Sequence, residues 1–532
     1  MPSDPPQSPP RRPGMWASLR VAMTSWRTAS VALLSFSSGM PLGLVWIAIP
    51  DWMRSTGVDL RVVGLITLAQ APWTFKFLWS PVMDRWVPPF LGRRRGWIVI
   101  AQVALFATTL ALAGVGSHPE APWVVGVLAL AIAFTSATYD IAYDAYTVDV
   151  LRPEEQGPAV GAKIALYRAA MYLAGAIAIT FAARWSWPVV LVVLAVAHLP
   201  FLFVTLRAPE PEEAVVAPRT LRAAVWEPFL GILARHRALE ILLFVLFYKL
   251  ADNLAQALLR PFLVDLGYSA FDRGVALGTA GAVATSVGAL LGGVLTTSLG
   301  LGRALWLFGV IQILSNVGYI LVAESAVNRP LMYGAMGFES FTQGLGTGAF
   351  LVLLLRLTEK RFSATQYALL SSLFGIPRLL TGPISGFAAD AMGWTSFFWL
   401  TMLAGIPGLV LLARFVPIGT REPALAVEHG RVVGPPLGRG ALAARGVVAG
   451  CVALAGGALL LAAMAAIKTM RATPGAAFDL ATPLGELLLP REIGDWVGLV
   501  GLAAFAAVCG LCAAAVAAAR RGMGGSSEAV AP

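Results

Sequence analysis

Long apolar runs alternate with short charged loops from Val31 to Ala519. A helix needs roughly 20 apolar residues to cross the hydrocarbon core of a bilayer. On that ruler the pattern predicts spans near 29–50, 62–83, 97–116, 123–149, 161–183 and 186–206. A second set falls near 239–263, 274–297, 303–323, 330–355, 366–389 and 394–416, and two more near 445–467 and 496–519. The expected organisation is a tail over 1–28, a six-helix half over 29–206, a charged connector over 207–238 and a second half over 239–416. A linker over 417–444, two additional helices within 445–519 and a tail over 520–532 complete it. The fold class is therefore all-α, a polytopic membrane protein.

Composition agrees. The chain is 58% hydrophobic and only 13% charged, with a mean hydropathy of +0.74. Soluble domains carry about twice that charged fraction. Once the apolar runs are removed, no stretch remains for a soluble catalytic domain. The net charge of +10 raises the question of nucleic acid, but the basic residues fall in alternate loops. Arg85, Arg93 to Arg95, Arg152, Arg219, Arg222, Arg235, Arg237, Lys360 and Arg361 lie on one side, and few on the other. This is the positive-inside pattern; it places both tails in the cytoplasm and excludes nucleic acid as the explanation. The Pro-rich, basic N-terminus lacks a cleavable-signal pattern and reads as a disordered tail. Cys509 and Cys512 form C-x-x-C inside "FAAVCGLCAAAV", with no second pair to complete a metal site. They read as small residues packing a helix. His118, His198, His236 and His429 are scattered, so neither a metal, a cofactor nor a catalytic constellation is expected.

The halves echo each other. "STGVDLRVVGL" after the first span resembles "DLGYSAFDRGVAL" after the seventh, and "LGRRRGW" stands against "LGRALW" at the same offset. "AKIALYRAA" likewise stands against "TQYALLSSL". Repeated halves point to a transporter whose site lies between them near mid-membrane.

Ionisable residues inside the spans mark the candidate path, because an unpaired charge in hydrocarbon is costly. "ATYDIAYDAYTVDVL" carries Asp140 and Asp144 one turn apart on one face, where their repulsion and burial suit one of them to hold a proton. Lys76 and Arg168 stand at similar depth as possible partners. Asp149, at the helix end, suits a pairing with an arginine of the inner loop. In the second half, Lys249 and Asp252 are spaced to pair, Glu339 and Gln343 share a face, and Arg378 follows Pro377 near mid-span. Arg378 offers a forked partner for a substrate carboxylate, with Arg168 and Lys249 assisting. Trp73, flanking Lys76, offers an aromatic surface for a sugar. Asp140, Asp144, Glu339 and Asp252 are the candidates for proton coupling.

The loop "SPVMDRWVPPFLGRRRGW" resembles the loop-two-three signature of the major facilitator superfamily. Asp84, Arg85, Gly92 and Arg93 match it, Ser80 replaces the first Gly, and "WVPPFL" lengthens the gap. The resemblance implies an inner gate that joins an arginine of this loop to the acidic end of the fourth span, Asp149. Beyond this, "SFSSGMPLGL", "FKFLWSPVMDR", "LGRRRGW", "YDIAYDAYTVDVL" and "QYALLSSLFGIPRLLTGP" together resemble the AmpG family of muropeptide permeases, and more distantly acetyl-CoA transporters, over roughly 29–416. That implies a major facilitator fold in the bacterial inner membrane. It also implies proton-driven import of anionic sugar-peptides, the anhydro-muropeptides, for peptidoglycan recycling, and a link to β-lactamase induction. Tyr139 stands where many relatives have Gln, and Thr147 where a basic residue is typical. Rival readings are an importer of another anionic or glycosylated solute, a membrane-embedded enzyme, and a sensor without transport.

Overall fold

The computed structural model describes residues 24–58, 67–116, 122–211, 217–218, 220–233, 237–423, 425, 437–472, 477–489 and separate positions between 496 and 517. Outside the described residues lie positions 1–23 of the first tail, the 59–66 part of the loop echo, His118, His236, His429, Cys512 and most of the fourteenth expected span. The side chain of Arg378 is also outside them.

The chain divides into two units, Met1–Pro228 with Leu239–Leu425, and Phe229–Ala238 with Ala426–Pro532. In the first unit, α1 covers Trp26–Ser55, three residues earlier than the apolar pattern begins. It is followed by a broken α2 (residues 67–85), α3 Arg95–Ala113, α4 Pro122–Val150, α5 Pro153–Ala182 and α6 Trp187–Arg207. The connector contains α7 Leu221–Leu233. The second half runs through a broken α8 (residues 238–265), α9 Phe271–Leu299, α10 Leu301–Glu324, α11 Arg329–Leu357, α12 (residues 363–391) and α13 Met392–Phe415. The chain reverses between the last two at Gly393, whose φ of 78° suits a residue without a Cβ. In the second unit α14 covers Arg439–Ala472, starting before the expected 445, and α15 covers Ala481–Leu488.

Ten helices among the described residues are long and apolar enough to cross a membrane. The second, seventh and eleventh expected spans are helical but fall outside that set. The second is cut into Thr67–Gln70, Ala71–Phe75, Lys76–Leu78 and Ser80–Arg85, with Pro72 and Pro81 each withholding a backbone N–H. The seventh is cut into Ala238–Phe247, Leu250–Ala257 and Leu259–Asp265. Lys76 and Lys249 sit at these breaks. Irregular backbone at membrane depth persists where protein groups satisfy it, and such breaks are a transporter feature.

Helix starts follow capping chemistry. Ser25 accepts from the Thr28 N–H to open α1, and its hydroxyl donates to Glu155 Oε1 at 2.6 Å, fixing the start of α1 to that of α5. Pro153 opens α5, where Glu155 Oε2 accepts from the Arg152 N–H at 3.1 Å. Asn328 caps α11 through the Leu331 N–H at 3.1 Å. Three helices widen into single π-turns: Leu44–Ala48 in α1, Leu173–Ile177 in α5 and Val275–Ala280 in α9.

The first half packs around α4. Tyr139 and Tyr143, both buried, donate to the carbonyl oxygens of Leu34 (2.8 Å) and Val31 (2.7 Å) on α1. Tyr146 reaches the Pro209 carbonyl at 2.9 Å. These bonds fix the rotation of α4, and with it the direction in which Asp140 and Asp144 point. The second half has an aromatic core of Phe262, Tyr319, Phe397 and Phe398. Between the halves, α5 and α9 approach so closely at Gly157 and Gly293 that a Cβ on either would collide with the other's backbone.

Candidate functional site

Three buried polar clusters occupy the first unit. The first lies where α2, α4 and α5 meet. Asp144 sits about 9 Å, and Asp140 about 15 Å, along α4 from its arginine-rich end. Asp144 is held between two ammonium groups, Lys163 Nζ at 2.6 Å from Oδ1 and Lys76 Nζ at 3.0 Å from Oδ2. Asp140 accepts from the Ser38 hydroxyl at 2.5 Å. All four ionisable groups are at most 9% exposed. Lys163 Nζ also lies over two rings, 4.6 Å from the centroid of Tyr143 on α4 and 5.5 Å from that of Tyr367 on α12. Two lysines and two carboxylates thus form a quartet that is neutral when both carboxylates are ionised.

Lys163 was not among the residues marked by the sequence. It stands ten residues into α5, about 15 Å from the same end, so its depth matches the carboxylates; the expectation went to Arg168, a turn and a half further on. Lys76 does pair with this helix, through Asp144. Trp73, one turn before Lys76, meets Trp46 of α1 edge to face with centroids 6.2 Å apart. Its indole N–H is buried without a hydrogen-bond partner.

The second cluster closes the arginine-rich end. Asp84, fully buried, accepts from Arg93 Nη2 (2.8 Å) and Arg94 Nη2 (2.7 Å). It also accepts from the N–H and hydroxyl of Thr365 at 2.8 and 2.7 Å. Its carboxylate therefore caps the first turn of α12, where unsatisfied N–H groups and the helix dipole favour an anion. Arg94 extends the bridge, donating from Nε to Asp149 Oδ2 at 2.9 Å and from Nη2 to the Ser363 hydroxyl at 2.7 Å. Arg93 reaches across to the Arg361 carbonyl at 2.6 Å. The expected pairing of Asp149 with a loop arginine is present, and that arginine is Arg94, the residue after the motif's Arg93. The fork of Arg94 is the one that spans both acids. Gly92, with a φ of 74°, makes the turn before them, and Arg85 takes no part in the cluster. Gln156 on α5 accepts from Arg356 on α11 at 3.2 Å, a further tie between the halves near this end.

The third cluster lies in the second half. Lys249 Nζ meets Asp252 Oδ2 at 3.2 Å and donates to the Gln343 carbonyl at 3.2 Å. Gln256 Nε2 donates to Glu339 Oε1 at 3.2 Å. Glu339 is 1% exposed. Gln312, which with Lys249 Nζ lies against Gly346 of α11, is buried with both ends of its amide unpartnered. Gln343 enters through its backbone, a contribution that its side-chain type does not reveal.

Two helical halves tied at one end, with charged groups buried at their junction, define a membrane transport protein. The pattern of the Major Facilitator Superfamily matches residues 31–377. The chain is 40% identical over 388 residues to the anhydromuropeptide permease of Escherichia coli K12, across 73% of this chain and 79% of that one. It is 28% identical to the putative transporter AmpG 4 of Rickettsia felis, across 73% and 96%. Among solved structures, a proton:xylose symporter bound to 6-bromo-6-deoxy-D-glucose shares the fold with a TM-score of 0.56 at 10% identity, covering 75% of this chain and 98% of that one. A bacterial homologue of the iron transporter ferroportin in an outward-facing state does so at 0.52 and 15%, covering 73% and 98%. The chain belongs to the major facilitator superfamily and, within it, to the AmpG family of muropeptide permeases.

Proposed function

We propose that the protein lies in the inner membrane with both termini cytoplasmic and carries anhydro-muropeptides, together with protons, from periplasm to cytoplasm for peptidoglycan recycling. The observation that carries the reading of cargo is the 40% identity to an anhydromuropeptide permease over most of both chains. The reading of proton coupling rests on the Asp140–Asp144–Lys76–Lys163 quartet. One proton added to this neutral set leaves an excess positive charge beside the path, which an anionic sugar-peptide offsets. Proton and substrate then favour each other's binding, and by linkage the effect is reciprocal. Asp140, held by a neutral hydroxyl rather than by an ammonium, is the proton carrier in this scheme. Asp144 sets its charge environment, and Glu339 and Asp252 are the second-half candidates. Arg378, Arg168, Lys249 and Lys76 are assigned to substrate carboxylates, Gln343 and Trp73 to the amide and sugar portions. Positive charge concentrated at the Asp84 end supports its assignment to the cytoplasm, so the Asp84–Arg94–Asp149–Thr365 cluster is the cytoplasmic gate. Uptake of radiolabelled anhydro-muropeptide into proteoliposomes, with and without an inward proton gradient, tests the reading. Accumulation only with the gradient supports it; gradient-independent equilibration refutes the coupling, and absence of any uptake refutes the cargo.

A further inference from the structure

The first turns of α12 touch both charged clusters of the opposite half. Ser363 binds Arg94 and Thr365 binds Asp84, while Tyr367, two residues on, lies over Lys163. Tyr367 is 3% exposed, and its ring and that of Tyr143 both lie near one ammonium that Asp144 also holds. Tyr143 belongs to the same half as Lys163, so its contact survives any rigid movement of the halves. Tyr367 does not: it arrives on the helix end that Asp84 caps, and leaves with it.

We propose that Tyr367 is the positioning residue that couples the carboxylate quartet to the gate, by placing its ring over Lys163 only while the α12 end is docked on Asp84. The inference rests on the proton-coupled reading of the quartet and names the part that transmits it. The groups around Lys163 are Asp140, Asp144 and Tyr143 from α4, Lys76 from α2 and Tyr367 from α12. With both carboxylates ionised, Asp144 holds Lys163 beneath the Tyr367 ring, and the cation–ring attraction adds to the closed gate. A proton loaded on Asp140 removes one of the two negative charges that balance Lys76 and Lys163 and leaves Asp144 to hold both, so Lys163 is held less firmly beneath the ring and the closed gate loses part of that contact. By the same linkage, undocking α12 exposes Lys163 and alters the affinity of the carboxylates for a proton. A cation–ring contact in a desolvated site changes an equilibrium constant by roughly two- to thirtyfold.

The test uses the full-length protein in proteoliposomes, with spin labels on either side of the gate. The open-gate fraction is measured against pH by double electron–electron resonance, and substrate counterflow is measured in parallel. Tyr367→Leu is expected to cut the pH-driven change in the open-to-closed ratio by at least threefold, while Tyr367→Phe keeps the parental response. Because Tyr367→Leu also changes packing, pentafluorophenylalanine is introduced at the same position, which keeps the shape and reverses the ring's electrostatics. It is expected to behave as Leu does. A parental pH response in the fluorinated protein overturns the coupling role of Tyr367 and leaves the proton-coupled reading intact. A gate that ignores pH in the unmodified protein overturns that reading, and this inference with it.

Discussion

Asp84→Asn isolates the tie between the two halves with almost no change of shape. The carboxylate accepts from the N–H and hydroxyl of Thr365 at 2.8 and 2.7 Å, and these are bonds across the halves. Its bonds with Arg93 and Arg94 stay within one half. A bond to an ionised acceptor contributes about 1.5–3 kcal/mol and a neutral one about 0.5–1.5. Neutralising Asp84 therefore removes about 1 kcal/mol from each of the two Thr365 bonds, or about 2 kcal/mol in all, and the longer cross-half bond from the Ala364 N–H, at 3.4 Å, weakens with them. The buried Arg94, left with Asp149 as its one carboxylate, adds to this in the same direction. At about 1.4 kcal/mol per factor of ten, the closed-to-open ratio falls roughly thirtyfold or more. The assay is a distance measurement between spin labels at Val87→Cys and Ile418→Cys, whose native side chains are 46% and 80% exposed. Cys451, Cys509 and Cys512 are first replaced by Ser. Asp84→Asn is expected to move most of the distance distribution to the longer, open separation. A parental distribution in a well-folded, abundant Asp84→Asn protein would show that this cluster does not hold the gate.

Asp140→Asn should abolish accumulation driven by a pH gradient while sparing counterflow; concentrative uptake at the parental rate would make Asp140 structural. Gly157→Ala sets a methyl group against the Gly293 carbonyl and the Thr297 hydroxyl, and overpacking of this kind costs about 1–3 kcal/mol. It should lower the thermal midpoint and widen the label distance, and an unchanged midpoint would remove the close approach of α5 and α9 from the account. Ending the chain after Leu425 keeps the Arg356–Glu422 ion pair and the bond from the Gly302 N–H to the Arg421 carbonyl. Measurable transport should persist, and a folded but inactive truncated protein would assign the added helices a part in the cycle.

The sequence announced its helices and its charges more readily than its partnerships. Apolar runs mark crossings because length and hydropathy are local properties, and Asp140, Asp144, Lys76 and Glu339 stand out because a charge in such a run is costly. Spacing of three within one helix was enough to pair Lys249 with Asp252. Which cation reaches Asp144 depends on how α5 is rotated against α4, and tyrosine hydroxyls bound to carbonyls of α1 settle that rotation. Hence Lys163 passed unnoticed behind Arg168. Ser38, Thr365 and Tyr367 are common residues in apolar helices, and their roles exist only once the halves are assembled. Arg93, Arg94 and Arg95 are the same residue type in one run, and which of them bonds Asp149 as well as Asp84 is visible only in the folded loop.

The π-turns in α1, α5 and α9 carry a consequence for how this chain varies among relatives. Each holds one residue more than an α-helical turn can seat, the trace an insertion leaves when the flanking helix keeps its phase. Removing a single residue at 44–48 would restore the regular turn and keep the later positions of α1 on their present faces, Trp52 in its stack on Trp187 included, where the centroids are 5.2 Å apart; a deletion elsewhere in α1 would swing them by about 100°. The α1 and α5 turns lie against one another, so a deletion in one is best tolerated with a deletion in the other. Paired length changes at 44–48 and 173–177 are therefore the variation expected there, with the helical segments on either side keeping their lengths.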